Sequence, residues 1–301
     1  MPPFASLFLK GLAMGAANVV PGVSGGTVAL VTGIYERLIN ALRRCDLQAL
    51  KLLFAGDLKR LWAHVDGGFL AAISLGVAAS IFSLAKLLEF LLDRHETLTM
   101  AFFFGLIAVS VVSVGRTVRH WTTPSRVALA VGAATAVGIA LLAPAGENTG
   151  FVYLVLCGVV AICSMILPGL SGSFVLIIMG NYALVLGAVG RLDLAILLPV
   201  ALGCVVGLLA FSHVLGWVYT RFHDQTVALM TGFIVGSLVV IWPFKTALTT
   251  WVERAGKPAK EVVIGYQWHW PDASLATGLA AGAALAGALG LVWVERVATR
   301  P

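Results

Sequence analysis

One stretch constrains the fold of this chain more than any other, and it occurs twice. Residues 21–35 read PGVSGGTVALVTGIY, and residues 168–182 read PGLSGSFVLIIMGNY. Pro21/Pro168, Gly22/Gly169, Ser24/Ser171, Gly25/Gly172, Val28/Val175, Gly33/Gly180 and Tyr35/Tyr182 coincide at a single offset of 147 residues. Seven identities in fifteen positions mark an internal repeat. Each copy stops one helix and starts another. Proline lacks the amide hydrogen that a helix interior needs and restricts its predecessor, Val20 or Leu167. The glycine beside it permits a reversal, and Ser24 or Ser171 is an N-cap for the helix that follows. A helix beginning there offers unpaired N–H groups and a partial positive charge, both of which attract anions.

The surroundings of the motif are apolar. Hydrophobic residues make up 59% of the chain and charged residues 11%, less than half the charge of a soluble domain. Long, non-alternating apolar runs predict spanning helices and exclude a β-barrel. In the first hairpin, residues 4–39, Lys10 leaves ten uncharged residues before Pro21, and nine separate Gly26 from Glu36-Arg37. At 1.5 Å per residue each arm reaches about 15 Å, half a hydrocarbon core, which predicts a re-entrant hairpin. A polar linker, 36–66, and three spans near 67–92, 98–115 and 126–144 follow. The second hairpin covers 151–190. Spans near 193–219, 226–243 and 273–295 complete the chain, with a loop at 244–272. Gly105–Ser110 echoes Gly232–Ser237. Each half therefore crosses an odd number of times, so the halves oppose one another. The expected fold class is an all-α integral membrane protein of two inverted repeats, 1–150 and 151–301. Each repeat is a re-entrant helical hairpin plus three transmembrane helices, an arrangement found in transporters. With both termini cytoplasmic, twelve Lys/Arg lie inside against six outside. The positive-inside rule favours that orientation, with 36–66 cytoplasmic and 244–272 extracytoplasmic.

The candidate phosphate- or anion-binding residues are Ser24, Gly25, Gly26 and Thr27 in the first motif and Ser171, Gly172 and Ser173 in the second. Arg37 and Lys86 are the candidate cationic helpers. Arg37 is equally readable as an interfacial anchor, and Lys86 with Glu89 as an ion pair beside the pathway or as groups snorkelling from a span end. Glu36, Glu89, Asn18 and Asn181 are candidates for coupling or for lining a polar cavity, the asparagines alternatively for helix-to-helix hydrogen bonds. His213 reads as a hydrogen-bonded core residue before a proton relay. Trp251, Trp268 and Trp270, near Lys257 and Lys260, suit an aromatic belt or a lipid headgroup. Cys45, Cys157, Cys163 and Cys204 have no metal-ligand spacing, and no nucleophile–base pair or carboxylate dyad stands out. No catalytic residue, metal, cofactor or nucleic-acid partner is expected. A coupling ion, proton or sodium, and the oligomeric state stay open.

The stretch Gly15–Thr27 continuing to Gly33–Ile39, together with Leu167–Ser173, Phe103–Ile107 and Gly232–Ser237 leading to Trp242-Pro243, resembles the bacterial polyprenyl-phosphate transporters, formerly domain of unknown function 368. The resemblance covers nearly the full length. It implies a flippase that returns undecaprenyl phosphate, or a related polyprenyl phosphate, from the outer to the inner leaflet for cell-envelope glycans such as peptidoglycan. It also implies a place in the bacterial cytoplasmic (inner) membrane. The second copy has Ser173-Phe174 where the first has Gly26-Thr27, which makes the first copy the better expected phosphate site. Two rivals stand beside this reading: a transporter or channel for a small anion, and an intramembrane lipid phosphatase.

Overall fold

The computed structural model describes residues 4–19, 23–254 and 257–298, without the side chains of 19, 85, 86, 89, 93, 190, 247–254, 257–266, 294, 295, 297 and 298. Pro21 and Gly22 therefore lie outside the described residues, as do the side chains of Lys86, Glu89, Trp251, Lys257 and Lys260.

The first half opens with α1 (Phe4–Val19), α2 (Gly25–Val31) and α3 (Tyr35–Arg43). The expected polar linker is helical: α4 (Leu47–Phe54) and α5 (Leu58–His64) start at Asp46 and Asp57, whose carboxylates accept from the first free amides of each helix. A long helix, α6 (Gly67–Gly115), follows, broken at His95 (φ −140°, ψ 45°), and then α7 (Thr123–Ala140). The second half comprises α8 (Phe151–Ile166), α9 (Gly172–Ile178), α10 (Tyr182–Arg191), α11 (Leu194–Arg221), α12 (His223–Val240) and α13 (Leu275–Ala298). Six stretches among the described residues are long and apolar enough to cross a membrane: 67–84, 94–115, 123–140, 194–221, 223–240 and 275–293. This is an all-α integral membrane protein with one addition. The expected loop at 244–272 holds an antiparallel hairpin, β1 (Lys245–Arg254) and β2 (Lys257–Trp268), where Thr249, Thr250, Val252, Val262 and Val263 favour a pleated backbone.

The two sets of elements share backbone detail. Helices α1 and α8 both have 16 residues, and α2 and α9 both have 7. The break at His95 recurs at Phe222 (φ −132°, ψ 54°), between α11 and α12, at the offset that relates Gly105 to Gly232. Packing recurs with it. Gly11 lies on the Ile73 carbonyl of α6 as Gly158 lies on the Val200 carbonyl of α11. Gly105 meets Ala284 of α13 as Gly232 meets Leu129 of α7, and none of the four has room for a Cβ. Small residues at these crossings let backbones touch where lipid offers no hydrophobic drive for helix association. Each set also carries one insertion that the other lacks: α4–α5 in the first, the β-hairpin in the second. The main core joins the two, with Tyr35, Ile39, Phe69 and Ile107 packed into one cluster with Ile166, Met230 and Ile234.

Candidate functional site

Both motifs fold as their residue types dictate. Ser24 (φ −121°, ψ 133°) and Ser171 (φ −111°, ψ 125°) are extended N-caps of the short helices α2 and α9. Each short helix then ends in a second break that sequence reading missed. Gly33 (φ +70°) and Gly180 (φ +73°) take the left-handed conformation, with Gly33 N–H donating to Leu30 and Ile34 N–H to Ala29, matched by Gly180 to Ile177 and Asn181 to Leu176. This is the Schellman arrangement that glycine favours. The signal was present, since Gly33/Gly180 is one of the seven coincidences. The last carbonyls are satisfied from the first arm of each hairpin: Lys10 Nζ donates to Thr32 O at 2.8 Å, and Tyr153 OH to Met179 O at 2.8 Å.

The two turns touch. Helix α8 ends before Pro168 and leaves orphan carbonyls, as every helix does. The first motif meets them: Ser24 Oγ lies 3.2 Å from Leu167 O and 3.4 Å from Met165 O, and Tyr35 OH donates to Ile166 O at 3.1 Å. In return the Gly169 amide donates to Thr27 Oγ1 at 3.0 Å. Gly26 allows this approach, because a Cβ there would lie 2.7 Å from Ile166 O. Gly169, with φ +83°, is pressed against the α12 backbone at Phe233 and Ile234. Ser24, Thr27 and Tyr35 are all buried.

Side-chain chemistry then separates the two turns. Asn18 Oδ1 accepts from Gly25 N at 2.7 Å, Ser24 Oγ from Gly26 N at 3.1 Å, and Ser24 O from Thr27 N at 3.0 Å. Every one of the first three amides of α2 is taken by the protein. The residue matching Asn18 in the second copy is Met165, which cannot accept in this way. Among the described residues the amides of Gly172 and Ser173 have no hydrogen-bond partner, and Phe174 N reaches Ser171 Oγ only at 3.5 Å. Ser171 and Ser173 share a 2.8 Å hydrogen bond, and Ser173 is half-buried. The unused donors sit at the second turn, opposite to the sequence-based preference.

The remaining candidates lie elsewhere. Arg37 makes a bidentate pair with Asp66 (2.7 and 3.0 Å) and stacks 4.5 Å from the Phe69 ring centroid. Hydrogen bonding from Arg37 holds the Asp66 carboxyl below the usual carboxylate range, and the same bond raises the Arg37 pKa. Glu36 is exposed. Asn181 is fully buried and clamps the 141–150 loop, its Oδ1 accepting from Asn148 N (2.9 Å) and its Nδ2 donating to Asn148 O (2.7 Å). Asn18 and Asn181 thus both make hydrogen-bonded ties to backbone near helix ends. His213 hydrogen-bonds the Leu209 carbonyl within its own helix but is exposed, so it is not the core residue expected. Trp268 and Trp270 border a cleft of about 450 Å³ with Phe104 and Trp242.

The family described as undecaprenyl phosphate translocase-like matches residues 14–259 of the chain. A polyprenyl-phosphate transporter of Vibrio cholerae is 45% identical over 254 residues, 84% of this chain and 82% of that protein. A polyprenyl-phosphate transporter of Staphylococcus aureus is 32% identical over 262 residues, 81% of this chain and 88% of the other. Both are named as transporters, not enzymes. No solved structure matches the chain.

Proposed function

The chain belongs to the undecaprenyl phosphate translocase-like family, and from that premise we propose that it returns undecaprenyl phosphate, or a related polyprenyl phosphate, from the outer to the inner leaflet. It is a membrane transporter of polyprenyl phosphate rather than an enzyme. The recovered carrier lipid then serves synthesis of cell-envelope glycans at the cytoplasmic membrane. The halves 1–150 and 151–301 lie oppositely in the bilayer, with the hairpins re-entrant and both termini cytoplasmic.

The observation that carries the reading is the meeting of the two Ser-Gly turns with unused donors at one of them. The phosphate is held at the second turn by the Gly172 and Ser173 amides and by the Ser171 and Ser173 hydroxyls, while the isoprenoid chain stays in lipid. Buried N–H donors fixed by a helix start favour an anion without side-chain reorganisation. Ser24, Gly25, Gly26 and Thr27 brace the second turn from across the contact; Arg37 braces α3 against α6 through Asp66. Lys86 and Glu89 keep the role of candidate charged groups along the path.

The test is leaflet exchange in vesicles containing the purified protein and undecaprenyl phosphate, read by a phosphatase added outside. We expect the inner pool to become accessible only with active protein, and Ser173→Ala to slow the process. Unchanged exchange would reject the reading. Flux of inorganic phosphate without lipid exchange would favour a small-anion carrier.

A further inference from the structure

The helices α4 and α5 are an insertion between the first hairpin and its first span; at the matching place in the second half only Leu192 and Asp193 join α10 to α11. Neither inserted helix belongs to a span. Yet Leu47, Leu50, Leu53, Phe54, Leu58 and Trp62 are exposed by 46% to 82%. On α4, Leu47, Leu50 and Phe54 fall on one stripe, with Lys51 at its edge one turn on from Leu47 and Gln48 further around the helix. On α5, Leu58, Leu61 and Trp62 form the stripe, and Lys59 and Arg60 the polar side. The Trp62 ring packs on Gly67, the first residue of α6, so the surface adjoins the end of a span.

Charge points the same way. The acidic groups here are already engaged: Asp46 caps α4 and meets His64 at 3.1 Å, Asp57 caps α5 and pairs with Arg60 at 3.3 Å, and Asp66 holds Arg37. Lys51 and Lys59 are exposed and have no carboxylate partner among the described residues. A groove of about 760 Å³ runs between α4, α5 and α11, with Leu47, Leu50, Leu53, Leu61 and Leu209 among its apolar lining and Asp46, Gln48 and His213 as its polar members. Its largely apolar lining suits a hydrocarbon chain.

We propose that α4–α5 is a docking surface for an anionic phospholipid of the bilayer. One acyl chain lies in the groove, and the headgroup sits among Lys51, Lys59 and their basic neighbours. An amphipathic pair with a basic polar side lies in the headgroup plane with its apolar stripe below it, and each basic residue near an anionic surface strengthens binding roughly fivefold. The surface acts whether or not the chain moves polyprenyl phosphate.

Amide hydrogen exchange of the full chain in nanodiscs tests this. Discs of phosphatidylcholine alone are compared with discs containing phosphatidylglycerol. Residues 47–64 should exchange more slowly with phosphatidylglycerol, and the double variant Lys51→Glu/Lys59→Glu should lose that difference while the spans keep theirs. Phe54→Ser, on the apolar stripe, should raise exchange in both discs. Equal exchange in the two discs, or protection that survives the double variant, overturns the proposal. So does protection in phosphatidylcholine that undecaprenyl phosphate confers and phosphatidylglycerol does not, because the groove then belongs to the transported lipid.

Discussion

The turns at Ser24 and Ser171 have nearly the same backbone and opposite chemistry. Both start a seven-residue helix from an extended serine and stop it at a left-handed glycine. In the first, Asn18 and Ser24 consume the leading amides; in the second, Met165 replaces Asn18 and two amides stay unused among the described residues. The exchange of Asn18 for Met165 leaves the Gly172 amide without the acceptor that Gly25 has, while Ser171 Oγ lies against Ser173 Oγ and Phe174 N where Ser24 Oγ takes the Gly26 amide. The first turn is a clamp whose leading amides are satisfied by protein, and the second has two leading amides unused among the described residues. Shape comes from the shared Pro, Gly and Ser, and the pattern of amide acceptors from positions where the copies disagree.

The clamp breaks most severely where backbones meet. Gly169→Ala forces a side chain into the left-handed region and into the α12 backbone, and Gly26→Val drives a branched side chain onto Ile166 O. Each should cost roughly 2–4 kcal/mol and show as a lower melting temperature in detergent. Thr27→Val comes next. It keeps the shape but leaves the buried Gly169 amide without its acceptor, a loss of about 1–3 kcal/mol. Tyr35→Phe removes one donor to Ile166 O and should cost about 1 kcal/mol. A protein as stable as the parent after Thr27→Val would mean that the two turns do not depend on one another.

Exchanging the distinguishing residues tests the comparison itself. Met165→Asn should place an acceptor beside the Gly172 amide and take it as Asn18 takes the Gly25 amide. Transport of undecaprenyl phosphate by reconstituted protein should fall about tenfold, the worth of roughly 1.4 kcal/mol of lost charge-assisted hydrogen bonding. Asn18→Met should lower stability by about 1 kcal/mol, as loss of a helix-start acceptor does, and leave transport by the folded fraction near normal. The reverse pattern would move the phosphate to the first turn.

These variants also show what the sequence made legible. The Pro-Gly-x-Ser-Gly identity predicted the turns, their capping serines and the helices on either side, and hydropathy located all six long spans. Which turn keeps free donors was hidden, because repeat matching weighs coincidences, and Asn18 against Met165, the pair that decides the first amide, is a mismatch. The helices in 36–66 were hidden for another reason. Their charged residues read as a linker, although Asp46 and Asp57 are N-caps followed by apolar residues at helical spacing. The Arg37 pairing was hidden because its partner Asp66 is 29 residues away, at the far end of that insertion.

Arg37 therefore provides the smallest effect and the finest discrimination. As a phosphate ligand in a desolvated site, its removal would cost about 1.5–3 kcal/mol of binding, more than tenfold in transport. Its guanidinium is instead paired with Asp66 in a partly exposed setting, each side chain 29% accessible. Such a pair contributes only about 0.5–1 kcal/mol after solvent screening. Arg37→Ala and Asp66→Asn should lower stability by that amount, equally, and leave the concentration dependence of transport unchanged. The pH behaviour follows from the Asp66 carboxyl, whose folded-state pKa is depressed by the hydrogen bond from Arg37. Its stabilisation is complete above the unfolded value, near 4, and fades only as pH falls through the lower folded value. Between pH 5 and 8 the difference in melting temperature between the parent and Asp66→Asn should stay constant. A loss of transport in Arg37→Ala that Asp66→Asn does not reproduce would return Arg37 to the phosphate and leave the second turn as one part of a wider site.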